Sequence, residues 1–186
     1  MKKYPLIAGL GLLATCGAVF AAWSFGYTPT AKINDSLSVN IGVDQEWGDI
    51  GMHGTLTLAK PSIETVGIVQ NNAKNSAKFD YSGSDVFTLT YSDPADGNPD
   101  PSAFSFTVNA VVSSNLNTVG GITVASSAIS LEINQTVKTV SVSVSDLLAK
   151  VTFPAIESEK QADAFVTAVK TVETPKITIT FTAAAA

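Results

Sequence analysis

Apolar and polar residues alternate along most of the chain. Leu37-Ser38-Val39-Asn40-Ile41 shows the pattern, as do Thr55 to Leu58, Val86 to Tyr91 and Phe104 to Ala110. It returns at Ile129 to Ile133, at Val137 to Val144 and at Ile177 to Phe181. Side chains on a strand point alternately to opposite faces, so each run makes one apolar and one Ser/Thr-rich face. Val, Ile, Thr and Phe suit a pleated, half-buried surface. Two apolar sheet faces bury each other by stacking, which predicts a mainly β, jelly-roll-like β-sandwich. Turn-forming residues separate the runs, at Asn71 to Asn75, Gly120-Gly121 and Ser92 to Ser102.

One segment follows a different period. Ala162, Phe165, Val166 and Val169 recur at helical spacing within Ser158 to Lys170, giving a single apolar stripe. Ser158 with Gln161 three residues on is a capping-box pattern. A shorter helix is expected over Ser145 to Lys150, capped by Ser145 or Asp146. Pro175 then forces an extended chain into the last strand. No internal repeat or long linker divides the chain, and its length of 186 residues suits one domain.

The start of the chain reads as an export signal over residues 1–21. Lys2 and Lys3 precede an apolar run, Leu6 to Phe20, that is shorter than the ~20 residues needed to span a bilayer. Small side chains around Ala21 place cleavage after Ala21, with Ala22 as the alternative. Leu13-Ala14-Thr15-Cys16 also loosely resembles a lipidation site, and an uncleaved anchor is a further alternative. The protein is therefore expected outside the cell or on its surface, with no membrane attachment after cleavage. Cys16 is the only cysteine, so the exported chain would have no disulfide and no thiolate. Every basic residue is Lys; without Lys2 and Lys3, nine lysines face sixteen acids and the formal charge falls from −5 to −7. Nucleic-acid binding, which needs clustered cations, is not expected.

Candidate chemistry is sparse. His53 is the only His, no Ser lies in a Gly-x-Ser-x-Gly turn, and no His-Glu-x-x-His or phosphate-binding loop occurs. The chain reads as a non-enzyme without a cofactor. Asp93, Asp96, Asn98 and Asp100 cluster in one loop as a weak calcium candidate, although the same residues are ordinary turn formers. Asp44, Glu46 and Asp49 near His53 form a second oxygen-rich stretch that reads as a solvated loop. Asn34-Asp35-Ser36 and Asn134-Gln135-Thr136 are glycosylation sequons.

The leader Gly9-Leu10-Gly11-Leu12-Leu13-Ala14 runs into an aromatic-rich first segment, Phe20-Ala21-Ala22-Trp23-Ser24-Phe25. Together with the early strand Ser36 to Ile41, the mid-chain Phe104-Ser105-Phe106-Thr107-Val108, the helical insert and the final strand Ile177 to Thr182, this layout resembles the TasA/camelysin family of secreted matrix-fibre proteins and the related archaeal bundling pilins. The resemblance implies a jelly-roll subunit over residues 31–186 that polymerises with other copies of itself outside the cell, in biofilm matrix or cell–cell adhesion. It also implies that residues 22–30 are donated as a strand to the next subunit. The metallopeptidase activity ascribed to some of that family does not carry over, because this chain lacks the zinc motif.

The residues of the segment fit such a role. Trp23, Phe25 and Tyr27 share one face of a strand, with Ser24 and Gly26 between them. Each ring can bury ~150–250 Å², so a free stripe of this kind must dock somewhere. It either forms the first strand of its own sheet or fills pockets on a neighbour. Pro29 would end such a strand. The alternative function is a monomeric surface-associated module binding carbohydrate or protein, for which Trp47 and Tyr91 are the available aromatics.

Overall fold

The computed structural model describes residues 37–47, 54–71, 73–95 and 104–185. The leader, the donor stripe Trp23, Phe25 and Tyr27, the Asn34 sequon, Asp49, His53, and the loop residues Asp96, Asn98 and Asp100 lie outside the described residues.

Each alternating run becomes a strand. They are β1 (Ser38–Trp47), β2 (Thr55–Ala59), β5 (Val86–Ser92), β6 (Ser105–Ser114), β8 (Ile129–Asn134), β9 (Thr139–Ser143) and β11 (Lys176–Ala185). Two strands lie outside those runs: β3 (Thr65–Asn71), whose alternation breaks at Ile68-Val69, and β4 (Ser76–Asp80), whose Ser-Ala-Lys-Phe-Asp alternates over five residues only. They form because Val66, Ile68 and Ala77 are buried under the same core, and because the turn between them lets Asn75 take a positive φ of 45°. Two short strands, β7 (Thr123–Val124) and β10 (Val151–Thr152), pair with each other.

A six-stranded sheet, in the order β4-β3-β1-β11-β6-β8, faces a three-stranded sheet, β2-β5-β9. The β-sandwich read from the sequence is therefore the fold, with few and short helices. The first and last strands lie side by side in parallel, from Asn40↔Lys176 to Trp47↔Ala183. β11 also pairs antiparallel with β6 over nine positions. Flanked on both sides, β11 buries Ile177, Ile179 and Phe181 completely. Phe181 meets Phe87 of β5 across the core, at 5.4 Å between ring centroids. Tyr91 of β5 packs on Phe104 at 4.9 Å and on Phe106 at 6.2 Å.

The helix α2 (Glu159–Lys170) buries Ala162, Phe165 and Val169, three of the four stripe residues, while Val166 is half-buried. Ser158 caps it, its Oγ accepting the Gln161 N–H at 3.3 Å. The Gln161 side chain reaches back one residue further than a capping box requires and accepts the Glu157 N–H at 2.7 Å. The short helix α1 (Val144–Leu148) starts earlier than the sequence suggests. Its cap is Ser143, whose Oγ accepts the Asp146 N–H at 3.0 Å, and not Ser145 or Asp146. Val144 thereby leaves the strand and is fully buried as the first helical residue. Among the described residues, no helix is long and apolar enough to cross a membrane.

Candidate functional site

The two sheets differ in width, and the difference concentrates on one side of the sandwich. At the opposite side the chain itself closes the corner between β8 and β9. There the Asn134 N–H bonds the Val137 carbonyl at 3.0 Å. The Asn134 side chain also accepts the N–H groups of Thr136 and Val137, at 2.9 and 2.8 Å. That sequon is thus a tight turn whose Asn side-chain oxygen already serves the backbone.

On the other side, β3 pairs with β1 only from Ser38 to Asn40. A last contact, from the Ile41 N–H to the Glu64 carbonyl at 2.8 Å, ends the pairing. From Val43 to Trp47, β1 has a neighbour on one side alone among the described residues, namely β11. Hydrogen-bond parity identifies the free groups. The Asn40 N–H points to Pro175, beside β11, whereas the Ile41 N–H points away from it. Backbone groups alternate in direction along a strand, so Val43, Gln45 and Trp47 present their N–H and C=O groups to the open edge.

Among the described residues, β2 pairs only with β5. The Tyr91 N–H bonds the Lys138 carbonyl and the Asp85 carbonyl accepts the Val144 N–H, so the odd-numbered groups of β5 face β9. The even-numbered groups face β2, where Ser92, Thr90 and Thr88 meet Thr55, Thr57 and Ala59. Leu56 and Leu58 therefore direct their backbone groups outward.

Both lips also share a side-chain pattern. Val43 and Trp47 on β1, and Leu56 and Leu58 on β2, are half-buried apolar residues packed against the core. Gln45 marks where cover runs out. Its register partner on β11 is Phe181, which is fully buried beneath β5, yet Gln45 on the same face is exposed.

A second concavity, of about 390 Å³, runs along the outer edge of β4 and is bounded by Leu148, Val151 and Phe153. Phe79 and Phe153 meet edge-on at its floor, 5.0 Å apart. Lys74 and Lys78 stand at its rim, and no Asp or Glu lines it. One end of that edge is stapled by the Ser76↔Ala155 bridge and by the Ile156 N–H on the Asn75 carbonyl, at 2.6 Å. At the other end Tyr81 donates its hydroxyl to Asp85 and accepts the Asp85 N–H, both at 3.0 Å. Partial burial, and then this bond to a carboxylate, hold the Tyr81 phenol above its ordinary pKa.

The remaining sequence candidates separate. Asp93 is engaged in an ion pair with Lys138 rather than left free for a cation. Among the described residues, no three His, Cys, Asp or Glu side chains come together as a metal site. Tyr91 cannot serve as an exposed platform: it is 2% exposed and enclosed by Phe104 and Phe106. Among the described residues, its buried hydroxyl has no hydrogen-bond partner. It lies against Gly54, where a Cβ would collide with it. Trp47 is half-buried on the open lip. Sequence reasoning did not single out Leu56, Leu58, Val43 or Gln45, because alternation tells which face a residue takes but not which strand is left at an edge. No protein family, curated protein or solved structure matches the chain.

Proposed function

We propose that the chain is the structural subunit of an extracellular fibre or pilus, polymerised by donation of an N-terminal strand and used in biofilm matrix or cell–cell adhesion. The observation that carries this reading is the open side of the sandwich. There, backbone groups with no strand partner among the described residues lie beside half-buried apolar side chains, at Val43 and Trp47 on one lip and Leu56 and Leu58 on the other. Such an edge is a template for another strand, because added main-chain bonds supply affinity and alternate side chains fill the space beneath. Residues 22–30 supply the matching chemistry: Trp23, Phe25 and Tyr27 at alternate positions, and no charge in between. A contact in which one copy's segment enters the next copy's edge is head-to-tail and does not close on itself, so it builds filaments. The resemblance to secreted matrix-fibre proteins agrees with it.

The test is a secreted chain lacking residues 22–30. It stays a folded monomer, while the intact chain forms filaments under the electron microscope; normal filaments from the truncated chain would refute strand donation. The β4 concavity, with its three aromatic rings and two lysines, favours the second reading, a monomeric module for a carbohydrate or protein ligand. Size-exclusion chromatography separates the two. A single monomeric peak from the intact chain supports the binding module, and large heterogeneous polymers support the fibre.

A further inference from the structure

We infer that the strand acceptor is β2, so that residues 22–30 of another copy become the fourth strand of the small sheet. This rests on the fibre reading above and adds the place where the copies join. The choice follows from comparing the free edges. Proteins protect exposed edges with lysines, short pairings or covering chain. β4 carries Lys78 and is stapled at Asn75 and Ser76. β8 carries Glu132, and the chain closes its corner towards β9. The free half of β1 carries Asp44 and Glu46, and its lower end is occupied by the contact with Glu64. β2 is as short as β4 and is followed by Lys60 and Pro61, but within Thr55–Ala59 it carries no lysine and no covering chain among the described residues. Its sequence, Thr-Leu-Thr-Leu-Ala, is uncharged and, among the described residues, is free of a partner along all five residues of one edge.

The filling argument selects the same strand. The small sheet ends at β2, while the large sheet continues past it through β1. The inner-face residues of β1 at that level, Val43, Gln45 and Trp47, are the ones left partly or fully exposed, in contrast to Phe181 beside them. A strand added to β2 extends the small sheet under these positions. Its inward side chains then enter the space that stacked sheets, ~10 Å apart, fill from both faces. The two-residue repeat of Trp23, Phe25 and Tyr27 matches that of Leu56 and Leu58. Ser24, Gly26 and Thr28 then share the outer face with Thr57, which is exposed.

Cysteine pairing tests this directly, because a chain beginning at Ala22 has no cysteine of its own. One preparation carries Thr57→Cys. The others carry Ser24→Cys, Gly26→Cys or Thr28→Cys, which together cover the possible registers. Side chains directly opposite on neighbouring strands have Cβ atoms ~4.5–5.5 Å apart, within reach of a disulfide after small adjustment. Mixed and assembled under mild oxidation, at least one pair gives reducible dimers between the two preparations. Leu58→Lys, which points a charge inward at the open edge, leaves the monomer folded by circular dichroism and abolishes filaments. Filaments that assemble without any of these cross-links, or unchanged by Leu58→Lys, overturn β2 as acceptor and leave the fibre reading standing. A further chain carrying both cysteines that cross-links only within itself, while the mixed single-cysteine preparations do not cross-link, overturns the intermolecular contact. An intact chain that forms no filaments defeats both readings.

Discussion

Tyr81 and Asp85 show how one local contact sets a measurable property. The phenol is kept protonated by partial burial and by the hydrogen bond it donates to the Asp85 carboxylate. Its folded-state pKa therefore lies above the ordinary value of about 10. The associated stability is complete below that ordinary value and is lost as pH rises through it towards the folded-state value. In Asp85→Asn the acceptor loses its charge and the nearby anion is gone, so Tyr81 should titrate closer to an ordinary tyrosine. A phenolate absorbance titration compared with that of Tyr81→Phe, which removes the group, reads the shift; an unchanged curve would exclude the carboxylate as a cause. None of this was legible beforehand, since a Tyr and an Asp four residues apart signal nothing without the turn that brings them together. Tyr91 shows the same limit in reverse. Its alternating neighbours place it correctly on the inner face, but only the packing of Phe104, Phe106 and Gly54 reveals that it is sealed from solvent.

At the scale of elements, the strands with strict alternation were legible because burying one face is a period-two demand that each segment meets alone. β3 and β4 were not: alternation in β3 breaks at Ile68-Val69, and β4 alternates only briefly, with Ala77, Lys78 and Asp80 as poor strand formers, so both become strands through pairing with each other and with β1. β1 was legible only to Ile41. Its continuation through Gly42, Asp44 and Glu46 is imposed by the parallel ladder with β11, at a sequence distance no local pattern reports. The caps divide in the same way. Ser158 was readable because a helical stripe follows it directly. Ser143 was hidden inside an alternating run, and it ends that run by bonding the Asp146 N–H. The cap assignment predicts unequal effects for neighbouring serines. Ser143→Ala should cost roughly 0.5–2 kcal/mol, the usual loss for an N-cap. Ser145→Ala, at an exposed helical position, should stay within about 0.5 kcal/mol. Thermal unfolding of the two variants decides it, and equal losses would return the cap to Ser145.

On the scale of the whole molecule, among the described residues the small sheet stops at β2 while the large sheet continues through β1, and the proposed strand donation there sets an energetic expectation. The apolar residues Val43, Trp47, Leu56 and Leu58 are only half-buried. A strand that covers them binds the folded subunit and not the unfolded chain. Ligands of this kind stabilise by mass action, by about 2.7 kcal/mol at a hundredfold excess over Kd. For a domain of this size, each kcal/mol moves the melting temperature by roughly 2–4 °C. A synthetic peptide with the sequence of residues 22–30 should therefore raise the melting temperature of the truncated subunit in a concentration-dependent way. A peptide with Trp23, Phe25 and Tyr27 replaced by Ser should not, because its backbone could still pair but would leave the space between the sheets unfilled. If both peptides stabilise equally, main-chain pairing alone holds the copies together and the rings have another purpose. If neither does, the open side is finished by something other than this segment, and the wet edge at β2 must be explained without it.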